Sequence, residues 1–153
     1  MQEFPATEPV QDTPGTGFLP FYVIGNHAMR QLAQTRNGLL VAAAGASAVL
    51  LGAFGAHALK NVLDADQREI WQTAVHYHFW HALALGLTVF CGENRAGRIA
   101  MSAFALGIVA FCGSLYALAL GAPRWAGIIT PFGGVAFIVG WIALGVALTK
   151  RSA

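Results

Sequence analysis

The stretch Trp71–His81, WQTAVHYHFWH, holds three histidines, two tryptophans and a tyrosine within eleven residues, and it runs straight into the apolar segment ALALGLTVFCG. Imidazole nitrogens can ligate zinc, copper or iron, hydrogen-bond a quinone carbonyl, or join helices to one another. Every one of these roles needs a partner, because an unpaired buried polar group costs roughly 1–3 kcal/mol. Helical geometry divides the cluster. At about 100° per residue, Tyr77, His78 and His81 share an arc of about 100°, whereas His76 lies about 140° from His81 and groups with Trp80. The inward set is then Tyr77, His78 and His81. His57, at the far end of the preceding apolar stretch, is expected at a similar depth, near the outer membrane face. Thr73, Ser114 and Tyr116 are the other polar residues that this site could recruit.

Three chemistries stay open for such a site. A metal or haem centre would use His57, His78 and His81. Against it, no carboxylate lies inside any apolar span, no Cys-x-x-Cys-His attachment motif occurs, and Cys91 and Cys112 read as small buried hydrophobes. A quinone or other apolar ligand could accept hydrogen bonds from His and Tyr in a cleft of small residues. The third role is structural, with His57 and His81 satisfying each other, Thr73, Tyr116 or helix-end carbonyls; the residue pattern favours it. Ion or small-solute transport has little support without an Asp, Glu, Lys or Arg inside a span. Ser114 has no acidic partner for hydrolase chemistry, and Gly133-Gly134 lacks the lysine of a phosphate loop.

The elements that position these residues are apolar helices. Of 153 residues, 56% are hydrophobic and 10% charged, with a mean hydropathy of +0.58. Soluble domains carry about 25% charged residues, so lipid is the natural solvent for most of this chain. A net charge of +2, with basic residues scattered singly or in pairs, excludes nucleic acid as a partner. The expected spans are about 39–59, 74–91, 99–120 and 129–148, an all-α, polytopic, antiparallel four-helix transmembrane bundle. Residues 1–37 form an N-terminal extension, Pro-rich at first and then a short interfacial helix capped by Asn26; residues 150–153 are a basic tail. No secretory signal is apparent, so the first span is expected to direct insertion.

Small residues four apart mark the packing faces: Ala44, Ala48, Gly52 and Ala56 on the first span, Gly113 and Ala117 on the third, Ala136 and Gly140 on the fourth. In lipid, close backbone approach rather than the hydrophobic effect holds helices together. Asp64 with Gln67 predicts a capping box at the start of the second helix, Trp71 and Trp80 fit an aromatic belt, and Thr130-Pro131 reads as the cap of the last helix. Arg30, Arg36, Arg95, Arg98, Lys150 and Arg151 fall on the side of the termini, against Lys60, Arg68 and Arg124 on the other, so both termini are expected in the cytoplasm.

Four motifs then occur in order: GAFGAHALK from Gly52, WQTAVHYHFWHAL from Trp71, FCGSLYALAL from Phe111, and ITPFGGVAFIVGW from Ile129. Together they resemble the small four-helix membrane proteins of the domain of unknown function 423 family, related to transmembrane protein 256. The resemblance covers roughly residues 38 to 149. It implies a multi-pass protein of the bacterial inner membrane and no particular reaction. The expectation is a non-enzymatic accessory or structural subunit, in contact with membrane lipids and with other subunits or copies of itself. A redox or ligand-binding protein carrying quinone, haem or metal is the alternative.

Overall fold

A computed structural model describes residues 19–91 and 94–150, with side chains from residue 34. The chain divides into two units, Met1–Thr35 and Arg36–Ala153. In the first, the described residues are helical from Leu19 onward, and Asn26 lies within helix α1 (Leu19–His57) rather than capping a shorter one. The Pro-rich segment before it lies outside the described residues. All that follows concerns the second unit.

Among the described residues there are four long helical segments and no strands. They are α1; α2 (Ala65–Thr88), closed by a 3-10 turn at Val89–Cys91; α3 (Arg95–Gly107), joined through a π turn at Ile108–Cys112 to α4 (Gly113–Ala119); and α5 (Ile129–Thr149), entered through a 3-10 turn at Arg124–Ile128. Among the described residues, three stretches are long and apolar enough to cross a membrane: Gln34–His57, Arg95–Ala119 and Arg124–Thr149, with mean hydropathies of 2.1, 1.9 and 2.1. The helix α2 differs because it carries exposed polar residues in its first turns, Asp66, Arg68, Glu69, Gln72 and His76, and buried ones further along. His78, His81 and Thr88 are buried, while Phe79, Trp80, Leu83 and Leu87 are exposed. Its average hydropathy is thus lowered by the exposed polar first turns and by the covered histidines, while beyond His76 the surface it presents is apolar.

The helix ends follow local chemistry. Asp64 Oδ1 accepts from the Gln67 amide at 2.8 Å and Gln67 Oε1 accepts from the Asp64 amide at 3.0 Å, the reciprocal box expected from the sequence. Asn94 starts α3 earlier than the apolar run suggests, since its Oδ1 accepts from the Gly97 amide at 2.7 Å. Thr130 is not a cap: α5 begins at Ile129, and the Thr130 hydroxyl is used against α4 instead.

The core is built by aromatic rings set into glycines. Phe137 of α5 lies against Gly107, Phe104 of α3 against Gly140, and the Phe111 backbone against Gly133. An added Cβ at Gly140 would come within 2.7 Å of the Phe104 ring. At the other end, Leu59, Leu63, Trp71 and Ala119 form a second cluster. Trp71 is buried rather than part of an interfacial belt; its Nε1–H donates to the Leu51 carbonyl at 3.1 Å and its ring packs on Tyr116. Along α1, Ala48 is buried and Gly52 approaches Val75, while Ala56 is exposed. Gly113 faces open space, so it does not extend the packing ridge, whereas Ala117 and Ala136 are half-buried.

Candidate functional site

The inward face of α2 carries two separate polar junctions. In the first, His78 lies between α1 and α4, with Nε2 3.3 Å from Ser47 Oγ and Nδ1 3.3 Å from Tyr116 Oη. Ser47 spends its own proton on the Ala43 carbonyl at 2.7 Å, so its oxygen accepts from His78 Nε2–H. His78 Nδ1 is left to accept from the Tyr116 hydroxyl. The bonds run in one direction, from Tyr116 through His78 and Ser47 to the backbone of α1, and use every polar atom of the three side chains.

The second junction is built on His81, one helical turn further along. Its Nδ1–H donates to the Tyr77 carbonyl at 2.7 Å, which fixes the tautomer and turns Nε2 toward α5. There the Trp141 indole N–H, which can only donate, gives its proton to Nε2 at 3.3 Å. The ring stacks on Phe137 with centroids 3.5 Å apart, and Phe104 and Trp141 close the remaining sides. Tyr77 covers the pair from the edge, stacked on His81 and on Phe111. His81 has no lone pair left for a metal and no N–H left for a ligand carbonyl.

The other residues singled out from the sequence fall elsewhere. His57 is exposed at the end of α1 and joins neither junction. Ser47, to which His78 bonds, lies nearly three turns back from His57, about 15 Å along the axis. The junctions therefore sit deep in the spans rather than at the outer mouth, and His57 and His81 do not satisfy one another. Among the described residues no three His, Cys, Asp or Glu side chains form a group that could hold a metal, so the triad of His57, His78 and His81 is not a ligand set. Thr73 lines a shallow cleft with Asp66 and Glu69, away from both histidines. Ser114 pairs with Thr130 at 2.7 Å and donates to the Phe111 carbonyl of the π turn at 2.9 Å. His76 stacks on Trp80 as its helical position predicts. Ser47 and Trp141 were not singled out in the sequence; a hydroxyl in the middle of a charge-free span was the available signal for Ser47.

Residues 51–134 match the family model described as "Protein of unknown function (DUF423)". The chain is 42% identical over 107 residues to "UPF0382 membrane protein YwdK" of Bacillus subtilis, covering 67% of this chain and 87% of the relative. It is 40% identical over 107 residues to a "UPF0382 membrane protein" of Haemophilus influenzae, covering 69% and 86%. A third, "UPF0382 membrane protein SSP2132" of Staphylococcus saprophyticus, is 42% identical over 109 residues, covering 67% and 88%. The chain belongs to the DUF423 family. It is a membrane protein with several candidate spans, similar to bacterial relatives of unknown function. No solved structure matches it. In this DUF423 protein the stretch matched by the family model contains His78, His81, Tyr116, Ser114 and Thr130, while Ser47, Phe137 and Trp141 lie beyond its ends. Both junctions thus join matched residues to partners outside that stretch.

Proposed function

We propose that this DUF423 protein is a non-enzymatic component of the inner membrane, an accessory or structural subunit with both termini in the cytoplasm. The observation that supports this reading is the complete use of the inward histidines: His81 Nε2 is taken by Trp141, and both nitrogens of His78 by Ser47 and Tyr116. Every buried side-chain polar atom among the described residues has a partner. Groups paired in this way fix the positions of helices, and a catalytic or ligand-binding histidine needs a free nitrogen or an exchangeable partner. The placement of the termini is supported by Arg36, Arg95, Arg98 and Lys150 lying at the same end of the helices, with Lys60, Arg68 and Arg124 at the other.

Purification from native membranes in a mild detergent, followed by mass spectrometry and optical spectra, tests the proposal. The expected result is a stoichiometric membrane-protein partner with no chromophore. A lone protein carrying haem or quinone would overturn it. Reporter fusions at the C-terminus should be active on the cytoplasmic side, and periplasmic activity would refute the orientation.

A further inference from the structure

At the end of α2 nearest its capping box, a cleft of about 110 Å³ opens between α1 and α2. Gly52, Gly55 and Ala56 of α1 and the Trp71 indole line it, and Arg68, Gln72 and His76 of α2 edge it with exposed side chains. Arg68 gives its Nε–H to the Asp64 carbonyl at 3.3 Å, and among the described residues no acceptor meets its terminal amino groups. The carboxylates of the same turns lie elsewhere. Asp64 is held in the capping box, and Asp66 and Glu69 line the separate cleft beside Thr73 and Leu115. The charges of α2 are therefore sorted, with cation and amide toward α1 and carboxylates toward α4.

The same face of α2 continues deeper with apolar residues. Arg68, Gln72, His76, Phe79 and Leu83 fall within an arc of about 80°, and all five are exposed. From Arg68 to His76 is about 12 Å along the axis. One headgroup layer is about 5–8 Å deep, so with Arg68 at the phosphate level Gln72, about 6 Å along the axis, falls at the ester level and His76 a turn below it. Polar donors in sequence and then a lipid-facing apolar track match the order of groups in a phospholipid. Free phosphate would have no use for Phe79 and Leu83, and an apolar lipid would leave Arg68 unpaired.

We propose that this cleft is a phospholipid site. The guanidinium of Arg68 takes the phosphodiester, for which its planar fork is suited. Gln72 offers a donor to the ester oxygens, and His76, its ring held by its stack on Trp80, lies below them at the head of the apolar track. An acyl chain lies along Phe79 and Leu83. The small residues of α1 leave the space, which a larger side chain would fill.

Native mass spectrometry of the full chain in detergent, titrated separately with phosphatidylglycerol, diacylglycerol and inorganic phosphate, tests this. The wild type and Arg124→Gln, which has the same charge change at the other turn of that end, should retain phosphatidylglycerol equally. Arg68→Gln should weaken retention roughly tenfold, as expected for loss of a charge-assisted contact. Ala56→Leu, at an exposed position, should weaken it similarly without changing thermal unfolding. Equal retention by Arg68→Gln and Arg124→Gln would overturn the site. So would unaltered retention by Ala56→Leu, or diacylglycerol held as well as phosphatidylglycerol. Binding of inorganic phosphate with the same dependence on Arg68 would make it a soluble-anion site and overturn the lipid.

Discussion

His81→Ala is expected to destabilise the bundle by about 2–3 kcal/mol, and the size follows from what the ring touches. The bond from Nδ1–H goes to a carbonyl of its own helix, one turn back, so its loss weighs little. The bond from Trp141 joins α5 to α2. Interhelical hydrogen bonds in membrane proteins average about 0.6 kcal/mol and reach about 1.7. At 3.3 Å, with Trp141 49% exposed, this one belongs near the middle, at about 0.5–1 kcal/mol. The larger part is packing. His81 is 6% exposed and stacked on Phe137 at 3.5 Å, so truncation leaves a cavity bounded by Phe104, Phe137 and Trp141. Ring-to-alanine changes in soluble cores cost about 3–5 kcal/mol. Lipid tails replace water in the reference state here, which removes most of the transfer contribution and leaves about 1.5–2 kcal/mol. Reversible unfolding in mixed micelles with rising dodecyl sulfate, followed by circular dichroism, reads the difference. His76→Ala, at an exposed position, should cost less than about 0.5 kcal/mol. A double-mutant cycle of His81→Ala with Trp141→Phe should show a coupling of about 0.5–1 kcal/mol. Additivity within about 0.3 kcal/mol, or equal tolerance of His81→Ala and His76→Ala, would refute the assignment of Trp141 as the partner of His81.

Two further outcomes follow from the packing and from the first junction. Gly133→Ala drives a Cβ into the Phe111 backbone, which cannot rotate away, and should cost about 2–3 kcal/mol in the same assay. Gly113→Ala meets nothing within 4 Å and should be neutral or stabilising by up to about 1 kcal/mol; the reverse ranking would refute the packing of α5 on the π turn. Tyr116→Phe removes only the hydroxyl that His78 accepts from and should cost about 0.5–1 kcal/mol. Combined with Ser47→Ala it should be non-additive, since both act through one imidazole, and independent effects would break the proposed chain.

The two junctions explain how a helix with three histidines and a charged first turn is accommodated beside three plainly apolar spans. His78 ties α2 to α1 and α4, and His81 ties it to α5. The helices α1, α2, α3 and α5 face lipid with side chains such as Leu50, Leu83, Leu106 and Ile138. Large apolar surfaces of this kind signal lipid contact in a chain with so few charges.

Local order alone made much of this architecture readable. Charge-free runs bounded by polar turns mark the apolar spans, since each must satisfy its backbone internally to cross lipid. The Asp64–Gln67 box starts α2 because both partners lie within one turn of each other. The pairing of His76 with Trp80, and its separation from His81, follows from the helical repeat. Tertiary structure decided the rest. Which atoms meet His81 depends on α5 bringing Trp141 alongside, sixty residues away in the chain, and no local pattern encodes that contact. The π turn at Ile108–Cys112 adds a residue to the helical repeat, so spacing counted through it slips by about 100°. Gly107, before the turn, lies under Phe137, while Gly113, after it, is in the open. His57, His78 and His81, grouped from the sequence as a possible metal site, are two junctions and an exposed helix end: helical periodicity says which face a residue takes, and only the neighbours say what it meets there.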